Sequence, residues 1–171
     1  MDLNDYLRDV PDFPKPGIVF KDITPLLASP AAMQHCVELM AAHLDGQKID
    51  RIAGIESRGF LFGMPLALHL GVGFTPIRKP GKLPWKTKRV EYALEYGSDA
   101  VEIHEDAIHG GGRIALVDDL LATGGTMRAA CDLVEQLGGE VASCLFAIEL
   151  AFLPGRAKLE GFPIHALLSL D

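Results

Sequence analysis

Two adjacent carboxylates and a turn of glycines and threonines lie next to each other in the middle of the chain. Asp118 and Asp119 follow the apolar residues 114–117, which are typical of a strand buried on both faces of a parallel sheet. Side by side, two carboxylates can accept hydrogen bonds from a vicinal diol, as on a ribose. The turn that follows, here called the cradle turn, consists of Ala122, Thr123, Gly124, Gly125 and Thr126.

The cradle turn has the composition of an anion-binding site. Its glycines allow backbone N–H groups to approach an anion closely. A helical pattern runs from Met127 to Leu137, and the start of a helix adds unpaired N–H groups and the positive end of its dipole. We interpret the stretch as a ribose-phosphate site, with the acids on the sugar and the amides on the phosphate. The alternative is a solvated strand end with an ordinary loop.

A second strand end of the same kind lies earlier in the chain. Residues 49–55 predict a strand, and residues 60–70 predict a helix. Between them lies Glu56-Ser57-Arg58-Gly59, here called the charged loop. Its amides, with Arg58 as a cationic clamp, would bind another anionic group. A turn with a surface salt bridge is the alternative.

A basic segment is the third candidate. Six basic residues and no acid lie between Arg78 and Arg89, although the chain as a whole has a net charge of −7. This contrast indicates a small anionic substrate held locally, and the net charge argues against partners such as nucleic acid or a membrane. Gly81, Pro84 and Trp85 predict a long, mobile loop. It is either a lid that closes over an anion or a solvated loop.

Length and composition limit the architecture. With 171 residues and 49% hydrophobic residues, the chain is expected to form a single α/β domain, residues 1–171, with a mostly parallel sheet. Leu3, Tyr6, Leu7 and Val10 predict a short amphipathic helix, and residues 101–103 a half-exposed strand. No signal peptide or apolar run near 18 residues is present. Three widely spaced cysteines indicate reduced thiols in a cytoplasmic protein: Cys36, Cys131 and Cys144.

Residues 117–126, Val-Asp-Asp-Leu-Leu-Ala-Thr-Gly-Gly-Thr, resemble the phosphoribosyl diphosphate (PRPP) motif of the type I phosphoribosyltransferases. The Leu-Leu-Ala-Thr-Gly-Gly-Thr form is most similar to the adenine-specific members. The resemblance implies a mostly parallel central sheet flanked by helices, with a small N-terminal hood. It also implies a purine salvage reaction, in which adenine and PRPP give AMP and pyrophosphate. The resemblance further implies that PRPP carries Mg²⁺, with no all-protein metal site, and that the protein forms a homodimer.

The same resemblance assigns a base-binding role to residues 1–30, the hood. Phe20 would stack on the purine, and the backbone at Val19 and Lys21 would read its Watson–Crick edge. Many relatives have arginine in place of Lys21, a change that backbone readout tolerates. Leu150 would form the opposite apolar wall. From the residues alone, core packing remains open for all of these positions.

By resemblance, the charged loop is the pyrophosphate loop of the family, in which a non-proline cis peptide is a common trait. Residues 79–96 would be the mobile lid and its return strand, with Lys79 and Lys82 near the phosphates. Arg58, Asp118 and Asp119 would act on the reacting sugar and the leaving group. Glu95 would be the proton donor or acceptor at the purine imidazole, although by itself it is only an exposed strand carboxylate.

Two other functions stay open from the sequence. One is phosphoribosyl transfer to a different base, such as xanthine or orotate. The other is a purine- or PRPP-sensing regulator without catalysis, a class that usually carries a DNA-binding module. The absence of a spare N-terminal segment and the acidic net charge argue against the regulator.

Overall fold

A parallel sheet of five strands lies at the centre of the computed structural model, which describes residues 1–94 and 97–171. A 3-10 turn at Leu3–Tyr6 opens the chain. The elements that follow are β1 (Arg8–Pro11), β2 (Val19–Asp22), α1 (Thr24–Ala28), α2 (Pro30–Ala42), β3 (Arg51–Ile55), α3 (Gly59–Leu70), β4 (Gly73–Ile77), β5 (Thr87–Ala93), β6 (Ser98–His104), β7 (Arg113–Leu121), α4 (Gly125–Gln136), β8 (Glu140–Leu150), α5 (Gly155–Lys158) and β9 (Ile164–Leu170).

The sheet order is β4-β3-β7-β8-β9, and all of its pairings are parallel. Helices cover both faces. Phe62 of α3 and Met40 of α2 pack in the core on one face, whereas Leu133 of α4 packs in the core on the other. Because β3 and β7 are parallel neighbours, the charged loop and the cradle turn emerge at the same edge of the sheet. The predicted α/β class is confirmed.

Two antiparallel ribbons lie outside the central sheet. β1 pairs with β2 within the segment predicted as the hood. β5 pairs with β6 to form a second ribbon, here called the lid ribbon because β5 belongs to the segment predicted as the lid. Arg78, which follows β4, exchanges backbone hydrogen bonds with Glu102 of β6 and so joins the lid ribbon to the sheet. The ribbons thus flank the edge from which the two loops emerge.

Local sequence signals mark several elements correctly. The Ser29 hydroxyl accepts a hydrogen bond from the Ala32 amide at 3.3 Å, and Pro30 occupies the first turn of α2, as the helix-start pattern predicts. The three cysteines are buried and free. Among the described residues, we find no helix with the length and apolar character needed to span a membrane.

Two local predictions are wrong. The N-terminal amphipathic helix is only a 3-10 turn, because Val10 continues into β1 and pairs with Phe20 across the hood. The strand around Val101 and Ile103 is not half-exposed. Both side chains are buried, since α4 packs over the β5–β6 ribbon and encloses them in the core.

Two further elements extend beyond their predicted bounds. β7 does not end before the carboxylates but continues to Leu121, because the eleven-residue strand β8 goes on pairing with it. Asp118 and Asp119 are therefore strand residues. The C-terminal segment, for which no strand was predicted, contains the fifth sheet strand, β9. Its pairing to β8 could not be read from local pattern.

Candidate active site

The two loops meet because a glycine lets a helix begin directly against a strand. A Cβ atom on Gly59, the first residue of α3, would lie 2.6 Å from the carbonyl oxygen of Val117 in β7. Only glycine permits this approach. Between the loops lies a cavity of about 240 Å³, here called the anion cavity, lined by Ile55, Glu56, Ser57, Arg58, Lys79, Asp118, Asp119, Leu120, Ala122 and Thr126.

The cradle turn is shaped by its backbone. Gly124 has φ of 80°, in the left-handed region, and a Cβ atom there would lie 2.7 Å from the carbonyl oxygen of Gly155. α4 begins at Gly125, so its first amides are available to an anion. All five residues of the turn line a small pocket of about 80 Å³ that also contacts Asp118 and Met127. The turn has the predicted form of an anion cradle.

The paired carboxylates are held close to the sheet. Asp119 is only 4% exposed, and its Oδ2 atom lies 2.9 Å from Nε of Arg58. Oδ1 of Asp118 accepts a hydrogen bond from the Asp119 amide at 2.9 Å. Burial raises the pKa of both carboxyls. The charge of Asp119 raises the pKa of Asp118 further, whereas Arg58 opposes the shift at Asp119.

Arg58 therefore lies between the loops, and in this state its partner is Asp119. Its side chain is 45% exposed, so it can rotate towards the anion cavity that it lines. Glu56 is also paired. Its Oε2 atom accepts a hydrogen bond from the Lys79 amide at 2.6 Å and lies 3.3 Å from Nε of Arg78. The Glu56–Ser57 peptide is cis, and Ser57 is exposed in the cavity lining.

The two lid lysines are placed differently. Lys79 lines the anion cavity, and its ammonium group donates to Asp99 and, at 3.0 Å, to the hydroxyl of Tyr92. Lys82 is exposed in the turn after β4 and does not belong to the lining of that cavity. Glu95, the predicted proton-transfer residue, lies outside the described residues.

A larger cleft of about 580 Å³, the hood cleft, lies between the hood and the sheet edge. Four residues predicted to contact a base line it: Val19, Phe20, Lys21 and Leu150. The ring of Phe20 contacts Phe13 edge-on, with ring centroids 5.2 Å apart. The cleft shares Arg58, Asp119 and Leu120 with the anion cavity, so the two volumes are adjacent.

Sequence reasoning missed several lining residues. Phe152 and Leu153 follow β8 and line the hood cleft. Ligands of parallel sheets bind at the carboxyl ends of the strands, so the position of these two residues after β8 could have identified them. Tyr92 was also missed, although its hydroxyl accepts from Oγ1 of Thr126 at 3.0 Å. No local signal connects these two residues, because they are 34 positions apart in the chain.

Among residues 1–94 and 97–171, no three side chains of His, Cys, Asp or Glu converge as a protein metal site would require. The carboxylates of the anion cavity are instead engaged by Arg58, by Arg78 and by backbone amides. The arrangement places three volumes side by side: an amide cradle, a cavity lined by two cations and three carboxylates, and a largely apolar cleft.

Comparison with known proteins agrees with this arrangement. The model of the family described as "Phosphoribosyl transferase domain" matches residues 22–158. An adenine phosphoribosyltransferase of Caldanaerobacter subterraneus subsp. tengcongensis is 57% identical over 98% of this chain and 96% of its own length.

Two solved structures extend the comparison. The adenine phosphoribosyltransferase of Thermoanaerobacter pseudethanolicus superposes with a TM-score of 0.95 at 55% identity, covering 98% of each chain. The Saccharomyces cerevisiae enzyme, complexed with an imino-altritol bisphosphate and adenine, gives a TM-score of 0.93 at 46% identity, covering 97% of this chain and 96% of its own.

Proposed function

Since the chain belongs to the adenine phosphoribosyltransferases of the phosphoribosyl transferase domain family, we propose that the adjacent cavities are where it transfers the phosphoribosyl group of PRPP to adenine. The products are AMP and pyrophosphate, and the reaction salvages a purine base. The assignment rests on the adjacency of the three volumes. The hood cleft shares residues with the anion cavity, and the anion cavity shares residues with the pocket of the cradle turn.

The cradle turn holds the 5′-phosphate of the ribose. Its amides at the start of α4 and the hydroxyls of Thr123 and Thr126 donate to the phosphate oxygens. Asp118 and Asp119 accept hydrogen bonds from the ribose hydroxyls and face the positive charge that develops on the sugar as pyrophosphate leaves. The burial of Asp119 strengthens this interaction, because water screens its charge less.

The charged loop holds the leaving pyrophosphate. Amides of the loop, Arg58 and Lys79 stabilise the negative charge that builds up on the departing group. Arg58 is paired with Asp119, so the ribose hydroxyls and the pyrophosphate compete with this ion pair for its two members. We assign Lys82 to the same group of lid cations, brought to the phosphates when the lid closes.

The hood cleft holds adenine. Phe20 and Leu150 line the cleft as apolar walls for the purine ring, and the backbone at Val19 and Lys21 reads the Watson–Crick edge. The Lys21 ammonium group pairs with Asp9 at 2.6 Å, so it does not need to contact the base. Glu95 is assigned the proton transfer at the purine imidazole.

PRPP would carry Mg²⁺ to the site, and substrate oxygens and water would hold most of the ion's coordination positions. Carboxylate oxygens are the protein ligands this ion prefers, and those of Asp118 and Asp119 face the anion cavity. When bound, the ion neutralises charge on the pyrophosphate.

The protein acts as a homodimer in the cytoplasm. The free cysteines support a reducing compartment.

The dimer is supported by three exposed apolar side chains that lie about one turn apart on α3. They are Leu61, Met64 and Leu68, which are 43, 45 and 70% exposed, and they would form an apolar contact between two copies. Sedimentation equilibrium tests the dimer: Leu68→Glu should shift it to monomer, and a wild-type monomer would refute it.

Isotope transfer tests the function. Labelled adenine incubated with PRPP and Mg²⁺ should yield labelled AMP and one equivalent of pyrophosphate. Xanthine and orotate, tested in parallel, should yield little product. Absence of labelled AMP, or faster transfer to another base, would refute the assignment.

A further inference from the structure

A small polar cluster joins the lid ribbon to both anion-binding regions. The hydroxyl of Tyr92, on β5, accepts a hydrogen bond from Nζ of Lys79 and another from Oγ1 of Thr126, each at 3.0 Å. The same hydroxyl donates to Oδ2 of Asp99, on β6, at 3.2 Å, and that oxygen also accepts from Lys79. One proton arrangement satisfies all four contacts.

The cluster contains the cation that the leaving group needs. Lys79 lines the anion cavity, and its side chain is 37% exposed against 33% for Asp99. Burial by itself would lower the pKa of Lys79, but the hydrogen bonds of this residue to Asp99 and Tyr92 raise its pKa above the ordinary value. Lys79 in turn lowers the pKa of Asp99. The ammonium group is therefore charged and already neutralised by a carboxylate.

The same arrangement occurs on the other side of the cavity, where Arg58 is neutralised by Asp119. Asp119 belongs to the sugar site, but Asp99 lies on the lid ribbon and is not among the residues lining the anion cavity. An internal carboxylate next to a phosphate-binding lysine lowers the positive potential at the cavity. It must weaken the binding of any anion that competes for that lysine.

We propose that Asp99 and Tyr92 compete with the substrate anions for Lys79 and Thr126, and so set the affinity of the site for the departing pyrophosphate. Asp99 is the charged competitor for Lys79. Tyr92 is a neutral competitor for both Lys79 and Thr126. Both act through other residues and are positioning residues. The inference deepens the proposed function, since it concerns how the site releases its leaving group.

A merely structural role for the cluster predicts the opposite sign. If Asp99 and Tyr92 only fastened the lid ribbon, their replacement would loosen it, and every anion would bind more weakly. Competition predicts tighter binding when the competitor is removed. Asp99→Asn is a suitable change because the asparagine oxygen can still accept the 2.8 Å hydrogen bond from the Ala100 amide, so the ribbon is retained.

Isothermal titration with inorganic pyrophosphate and Mg²⁺, and separately with AMP, tests the proposal. Asp99→Asn should bind pyrophosphate about fivefold to tenfold more tightly, as expected for a partly exposed charged hydrogen bond, and should leave AMP affinity unchanged. Tyr92→Phe should tighten both ligands about threefold, as expected for a neutral hydrogen bond. In steady state, Asp99→Asn should lower the KM for PRPP and show stronger product inhibition by pyrophosphate.

Glu91→Gln is the matched control. Glu91 is a carboxylate on the same ribbon, paired with Arg89 at 2.7 Å on an exposed face, so its removal changes net charge equally. It should alter neither affinity. Unchanged or weaker pyrophosphate binding by Asp99→Asn overturns the inference, as does an equal gain in Glu91→Gln. Failure of the wild-type protein to convert adenine to AMP would instead refute the proposed function.

Discussion

The cradle turn and the charged loop lie side by side at one sheet edge, yet they are built in different ways. The cradle turn contains no ionisable side chain, and its shape comes from Gly124 in the left-handed region and from the start of α4. The charged loop depends on side chains. Arg58 pairs with Asp119, and Glu56 pairs with Arg78.

This difference matches what each region has to do. The ribose phosphate stays bound from substrate to product, and a fixed nest of amides binds it without the separation of any ion pair. Pyrophosphate must bind and then leave. A site whose cations already have internal partners binds an anion by exchange, which limits the affinity for the product. We therefore regard the cradle turn as the anchor and the charged loop as the exchangeable site.

The largest expected effect comes from the residues that serve both regions. Asp118→Asn combined with Asp119→Asn replaces two anionic acceptors for the ribose hydroxyls by neutral amides with one oxygen each, and it removes the charge that pairs with Arg58. Turnover should be abolished, whereas folding should remain near normal because asparagine has the same shape. Steady-state assays and thermal unfolding measure the two quantities. Wild-type activity in the double variant would show that the ribose assignment is wrong.

Arg58→Ala addresses the exchangeable site. It should slow pyrophosphate-dependent steps about 100-fold, or about 3 kcal/mol, which is typical for loss of one preorganised charge-stabilising donor. AMP binding should change much less, because the anchor is intact. Rates of AMP pyrophosphorolysis and titration with AMP separate the two. Equal losses in both assays would remove the distinction between anchor and exchangeable site.

Gly124→Ala addresses the anchor. Its Cβ atom would strain a backbone at φ of 80° and meet the Gly155 carbonyl oxygen, so AMP affinity should fall about 30-fold, or about 2 kcal/mol. Gly138→Ala is the control, since Gly138 has φ of 77° but nothing lies within 4 Å of its Cβ position. That variant should lose stability and keep its AMP affinity. Equal AMP binding by the two variants would argue against the cradle.

The smallest expected effect is on stability. Burial raises the pKa of Asp118 in the folded protein above the ordinary value of 3.8. The folded state therefore holds the proton more tightly than the unfolded chain, and the resulting stability is lost as pH rises through the raised pKa. Asp118→Asn should unfold a few degrees above wild type at neutral pH, with the difference vanishing below about pH 4. A difference in unfolding temperature that stays the same from neutral pH to below about pH 4 would contradict the raised pKa of Asp118.

Local signals were sufficient to predict both loops. Each follows an apolar strand and precedes a helix, so Arg58 and Gly124 could be identified as candidate residues from spacing and residue type alone. The sequence did not indicate that β7 continues through Asp118 and Asp119, because that depends on the length of its partner β8. The contact between Tyr92 and Thr126 depends on how the lid ribbon packs against α4, which no local pattern encodes.

The hood was predicted less completely for the same reason. Phe20 and Leu150 were identified through the family resemblance, but the residues themselves were equally compatible with core packing. Their joint placement around the hood cleft requires the β1–β2 ribbon to lie over the ends of β7 and β8. Such long-range packing follows from the whole fold and not from any one segment.

The position of the AMP phosphate in a crystal of the complex tests the central claim most directly. We expect the phosphate to lie in the cradle turn, residues 122–126, in contact with the first amides of α4, and the ribose hydroxyls to face Asp118 and Asp119. A phosphate bound instead at the charged loop, beside Ser57 and Arg58, would contradict the assignment of anchor and exchangeable site.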